Sequence, residues 1–115
     1  MELFTGKNKE QFGEWVTDND NPLCWWAFEV SGDGLMFEDM YISKLPFEMQ
    51  IGLYLAYYDS LGVSIDSYPL AAKEYRWGVA NSKDLLNEIY DEGVAKNRNE
   101  GYKEAFKKAN EIINS

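Results

Sequence analysis

The sequence predicts an α+β fold: a small antiparallel sheet, with a hairpin near residues 23–42 and strands near 63–68 and 74–80. N-terminal, central (46–61) and C-terminal (98–114) helices pack on it. Three observations carry this prediction. Apolar residues recur at helical spacing in three separated segments, an aromatic-rich pair of runs is joined by a glycine turn, and 45% of the 115 residues are apolar. A chain of this length buries roughly two-thirds of its unfolded surface, enough for one core. No repeat or linker interrupts it, so one domain over residues 1–115 is expected.

Thr5 is placed to cap the first helix, in which Phe12, Trp15 and Val16 form an apolar stripe. The polar run Thr17-Asp18-Asn19-Asp20-Asn21-Pro22 ends it. Residues 23–30 are dense in Trp, Phe and Val, Ser31-Gly32-Asp33-Gly34 makes a turn, and residues 35–42 return as the second arm of the hairpin. Pro46 suits the first turn of the central helix, because its missing N–H is not needed there. Phe47, Ile51, Tyr54, Leu55 and Tyr58 line one face of that helix, and Gly62 suits a left-handed stop. Residues 63–66 and 75–79 alternate as strands, and Pro69 between them argues against a continuous central strand. Residues 82–90 fit a short helix with Leu85, Leu86, Ile89 and Tyr90 inward, while 87–90 also fit a strand. In the last helix Tyr102, Ala105, Phe106, Ala109, Ile112 and Ile113 share a face opposite Lys103, Lys107 and Glu111, and Asn97 with Glu100 resembles a capping box.

Composition excludes several chemistries. The chain has no histidine and one cysteine, Cys24. Ser-His-Asp and Cys-His catalysis, imidazole-ligated zinc and internal disulfides are therefore ruled out. Asp18-Asn19-Asp20-Asn21 suggests a calcium loop, but its fifth and sixth positions are Pro22 and Leu23, where an oxygen ligand and a glycine are needed. Gly32-Asp33-Gly34 lacks the continuation of a phosphate loop. No metal or cofactor is expected. The N-terminus carries no apolar signal-peptide core, and the longest apolar stretch, residues 51–58, is too short to span a bilayer, so a cytoplasmic protein is expected.

The net charge is −9, and it is unevenly spread. Residues 10–72 hold eleven acids against Lys44 alone, whereas residues 73–115 hold eight acids and eight bases. Phosphate backbones are repelled by such a surface, so direct nucleic-acid binding is not expected.

Leu45-Pro46-Phe47-Glu48-Met49-Gln50-Ile51-Gly52, leading to Tyr58-Asp59-Ser60-Leu61-Gly62, resembles an LP-x-x-MQ-x-G…DS-x-G pattern found in small uncharacterised proteins of bacteriophages and prophages. Asn97-Arg98-Asn99-Glu100 and Ala105-Phe106-Lys107-Lys108-Ala109-Asn110-Glu111 are similar to the TR-x-EA…AI-x-KANE ending of the same group, with Asn97 in place of its Thr and Phe106 in place of its Ile. The resemblance spans about a third of the chain. It implies a viral or mobile-element origin and a protein that acts on another protein, and it brings no catalytic residue.

The hairpin supplies the candidate site. Strand alternation points Trp25 one way and Trp26 with Phe28 the other, and the returning arm is apolar on both sides as well. Either helices cover both faces, or one face is an apolar patch for a protein partner or a second copy. Trp25 and Trp26 are the expected anchors and Glu29, Asp33, Glu38 and Asp39 the expected charged rim. The leading expectation is a non-enzymatic interaction protein, for example an inhibitor of a host defence or nucleic-acid-handling protein whose acids occupy a groove built for phosphate. A structural or accessory phage component acting as a homo-oligomer is the alternative. A small hydrolase using only two carboxylates from among Glu29, Asp33, Glu38 and Asp39 is a remote one.

Overall fold

The computed structural model of the protein describes residues 3–17, 45–81 and 89–115. In chain order these form helix α1 (Gly6–Thr17), helix α2 (Phe47–Ser60), strands β1 (Val63–Ala71), β2 (Glu74–Asn81) and β3 (Ile89–Ala95), and helix α3 (Arg98–Asn114). The strands make an antiparallel sheet in the order β1-β2-β3. The α+β class, the three helices and the strands at 63–68 and 74–80 are as the sequence predicts; the hairpin at 23–42 lies outside the described residues.

Local chemistry explains the ends of the elements. Pro46 occupies the N-cap of α2, one residue before the position expected for it. Gly62 takes a φ of 78° after α2 and donates its N–H to Asp59 O at 3.0 Å, as a left-handed stop should. Asn97 Oδ1 accepts the Glu100 N–H at 2.9 Å, so the predicted cap of α3 is in place. β1 runs through Pro69 to Ala71 before a two-residue turn. Among the described residues β1 is an edge strand, and proline is tolerated there because its missing donor breaks no ladder bond.

In the region after β2, where the sequence fits both a helix and a strand, the strand is found at residues 89–90. Of the helix considered for 82–90, residues 82–88 lie outside the described residues, but Ile89 and Tyr90 belong to β3. The strand continues through Asp91-Glu92-Gly93, residue types that strands disfavour. Pairing with β2, in the register Trp77↔Gly93 and Val79↔Asp91, overrides the local preference.

The core lies between the helices and one face of the sheet. Phe12 and Val16 of α1, Leu53, Tyr54, Tyr57 and Tyr58 of α2, Val63, Ile65 and Val79 of the sheet, and Ala105, Phe106 and Ala109 of α3 are buried, with Phe4 ahead of α1. The rings interlock: Phe4 stacks on Phe12 at 4.3 Å and meets Tyr54 edge-on at 4.8 Å, and Tyr54 meets Phe106 edge-on at 5.4 Å. Tyr54, Tyr57 and Tyr58 thus serve packing.

A polar junction sits inside this core. Asn8 is fully buried. Its Nδ2 donates to Tyr58 Oη at 2.8 Å and to Asn110 Oδ1 at 2.9 Å, while its Oδ1 accepts from Tyr57 Oη at 2.8 Å. Asn110 Nδ2 donates in turn to Thr5 Oγ1 at 2.8 Å. Thr5 precedes α1 as expected of a cap, yet Asn114 Oδ1 takes the Asn8 N–H at 2.8 Å, the amide that an N-cap side chain ordinarily accepts. The cap of α1 is thus supplied by the last turn of α3. Gly6 enters α1 with a φ of 54°, where a side chain would be strained and would press on Asn114.

Burial pushes the Tyr57 hydroxyl up to about 12 from its ordinary 10.0. Tyr58 is pushed upward by burial too, against a smaller opposing effect of the Asn8 hydrogen bond. The folded chain therefore keeps protons that the unfolded chain releases. This contribution to stability is fully present below about pH 10 and is lost as the pH rises through about 12. Unfolding free energy should fall in that window by roughly 1.4 kcal/mol per pH unit for each of the two phenols. Denaturant melts across the window check this, and a flat profile would refute it.

Two glycines in helices should respond oppositely to alanine. Gly52 in α2 has nothing within 4 Å of an added Cβ, so Gly52→Ala should stabilise by about 0.5–1 kcal/mol through helix propensity. In α3 a Cβ on Gly101 would collide with Ser67 Oγ, which donates to Arg98 O at 2.9 Å and locks helix to sheet. Gly101→Ala should therefore destabilise by about 1–3 kcal/mol in chemical denaturation, reversing the propensity effect.

Candidate functional site

Trp25, Trp26, Glu29, Asp33, Glu38 and Asp39, the partner-binding residues expected from sequence, all lie outside the described residues. So does the Asp18-Asn19-Asp20-Asn21 run. Among the described residues, two surfaces on opposite faces of the sheet carry chemistry.

The first is the sheet face turned away from the helices. Asp66, Gly78 and Glu92 stand side by side across the three strands, as do Tyr68, Arg76 and Val94 in the next row. Arg76 and Glu92 form an ion pair, each partly exposed. The hydrogen bond to Glu92 and its charge raise the proton affinity of Arg76 further. Gly78 floors a shallow groove of about 130 Å³ between them. Tyr68, Leu70 and Val94 are 45%, 54% and 62% exposed, which gives this face an apolar margin.

The second is a cleft on the helix-bearing face. α3 lies over β1 and β2, since Gly101 abuts Ser67 and Trp77. It turns back antiparallel to β3, and an ion pair between Lys108 and Asp91 at 3.3 Å ties its third turn to the start of that strand. The face of β3 beside α3 is left as a broad, open cleft of about 650 Å³, lined by Trp77, Gly93, Val94, Ala95, Glu100 and Glu104 together with the 96–97 connection. Its floor depends on a glycine. A Cβ on Gly93 would sit 2.6 Å from Trp77 Nε1, so the indole lies directly over the Gly93 backbone.

The cleft's wall is acidic. Glu100 and Glu104 are one helical turn apart on the flank of α3 that borders β3. Their lysine neighbours hold them loosely: Lys103 Nζ is 3.6 Å from Glu100 and Lys107 Nζ is 4.0 Å from Glu104, with all four side chains well exposed. Exposed pairs of this kind contribute about 0–1 kcal/mol, so both carboxylates can be recruited by a better-placed cation. Opposite-sign interleaving along α3 is as the sequence indicates, and Lys108 pairs with Glu111 as well as with Asp91.

Charge counting along the chain points to residues 10–72 and so passes over this cleft, which lies in the charge-balanced third. The legible signals were Trp77 opposite a glycine and two acids four apart on a helix, but only a third strand at 89–95 brings them together. Among the described residues no group of three or more His, Cys, Asp or Glu is placed to hold a metal ion. No described helix is long and apolar enough to cross a membrane. Comparison of the chain with protein-family models, with curated proteins and with solved structures finds no match.

Proposed function

We propose that this is a non-enzymatic interaction protein of phage or prophage origin, which binds a protein partner through an acidic surface with aromatic anchors. The observation that supports it best is the cleft beside α3, where an indole floor meets a wall of two loosely held carboxylates. Aromatic anchors rimmed by charge are the usual composition of a protein-binding surface. The net charge of −9 adds long-range attraction for a basic partner. A host protein with a phosphate-binding groove is a partner of that kind, and the protein would then inhibit it by occupying the groove.

Capture from host lysate on the immobilised protein, washed at increasing salt, tests the reading. A specific partner should be retained at low salt and released as ionic strength rises, because exposed charges are screened beyond about 8–10 Å at physiological ionic strength. A partner retained irrespective of salt would remove the acidic-docking element. The exposed Tyr68, Leu70 and Val94 favour a second reading, self-association through the outer sheet face as an accessory phage component. Solution mass separates the two: a stable dimer that Leu70→Asp with Val94→Asp returns to monomer supports self-association.

A further inference from the structure

We propose that the cleft between α3 and β3 is a receptor for an arginine side chain on an extended segment of a protein partner, with the guanidinium against the Trp77 indole and between the carboxylates of Glu100 and Glu104. This deepens the partner-binding reading above and rests on it. Each part of the occupant follows from the cleft. Glu100 and Glu104 lie on one flank of a helix a turn apart, so their Cβ atoms are about 5–6 Å from one another, within reach of a single guanidinium fork. Their present lysine partners sit at 3.6 and 4.0 Å, beyond good hydrogen-bond distance, and a planar fork that bonds them directly displaces those contacts readily.

The aromatic floor selects for arginine over lysine, since guanidinium both stacks on an indole and pairs with a carboxylate. The segment that carries it should be extended. β3 is an edge strand of the sheet among the described residues, and Gly93, Val94 and Ala95 line the cleft in succession, which offers a row of backbone along one side. Among the described residues Lys96 is the one lysine that lines the cleft, at its 96–97 end.

The test uses the whole protein, isotope-labelled, and the blocked tripeptide acetyl-Arg-Gly-Arg-amide at low ionic strength, with acetyl-Glu-Gly-Glu-amide as control. Amide and indole N–H resonances are followed by NMR. The arginine peptide should shift the Trp77 indole N–H and the Gly93 and Ala95 amides saturably, and the glutamate peptide should not. Glu100→Gln with Glu104→Gln, both at exposed helix positions, should weaken binding about tenfold, the factor that corresponds to about 1.4 kcal/mol. Asp66→Asn, on the opposite face of the sheet, should leave it within about twofold, as expected of an exposed charge far from the site. Shifts scattered over the acidic surface, or an affinity unchanged by the paired glutamine variant, would overturn the proposal. A glutamine variant that still captures a lysate partner at undiminished yield would overturn the cleft assignment while leaving partner binding itself intact.

Discussion

Phe106→Ala should lower the free energy of unfolding by about 3–5 kcal/mol, the range seen when a buried phenylalanine is cut to alanine. Phe106 is fully buried and lies at the meeting point of two helices. Its ring stacks on Tyr102 at 5.9 Å and Tyr58 at 6.1 Å, and meets Tyr54 and Phe47 edge-on at 5.4 and 6.4 Å. Four neighbours anchored on α2 and α3 cannot collapse into the space together, so most of the cavity remains and the cost falls in the upper part of the range. Domains of this size are stable by only about 5–15 kcal/mol, which makes the variant marginal at physiological temperature. Urea melts of the two proteins measure the difference. A loss under about 1 kcal/mol would mean that the ring is not the keystone of the α2–α3 contact.

Asn8→Leu should cost about 2–4 kcal/mol although it keeps the number of side-chain heavy atoms and adds apolar character. The leucine offers neither the donor that Tyr58 Oη and Asn110 Oδ1 receive nor the acceptor that Tyr57 Oη uses. Asn110 Oδ1 keeps the Thr5 N–H at 3.0 Å, but both phenol hydroxyls lose a short bond in a buried site. A stranded buried group costs about 1–3 kcal/mol; Tyr58 Oη bears this in full, while Tyr57 Oη keeps the longer contact to the residue 8 carbonyl at 3.4 Å and bears part of it. A double-mutant cycle gives the decisive signature. Tyr58→Phe in the Asn8→Leu background should recover part of the loss, because removing both partners of a buried hydrogen bond is far cheaper than removing one. Strictly additive costs would show that Asn8 acts by packing alone.

The apolar stripes were legible because periodicity reports which face of a helix is dry. Phe12 and Val16 in α1, and Ala105, Phe106 and Ala109 in α3, are buried as their spacing requires. The polar residues that complete the core were not singled out, since nothing local distinguishes them from surface asparagines. Asn110 follows Phe106 by one turn and so falls on the dry face, which is the trace the sequence did carry. Its partners Thr5 and Asn8 are more than 100 residues away. Gln50 behaves in the same way, donating to Leu45 O at 2.7 Å and accepting from Tyr54 Oη at 3.0 Å. Gln50 and Asn110 both serve the fold.

By itself, then, the sequence determined the class of fold, the three helices with their caps at Asn97 and Gly62, two of the strands, and the exclusion of histidine- and disulfide-based chemistry. Each of these follows from residue identity and short-range spacing. Only the tertiary structure decided that Asp91-Glu92-Gly93 extends a third strand, that Asn114 caps a helix at the other end of the chain, and that Trp77 lies over Gly93 beside Glu100 and Glu104. These share one physical reason. Strand pairing and buried hydrogen bonds join groups far apart in sequence, and the free energy gained on contact outweighs local preferences that amount to at most about 1 kcal/mol per residue.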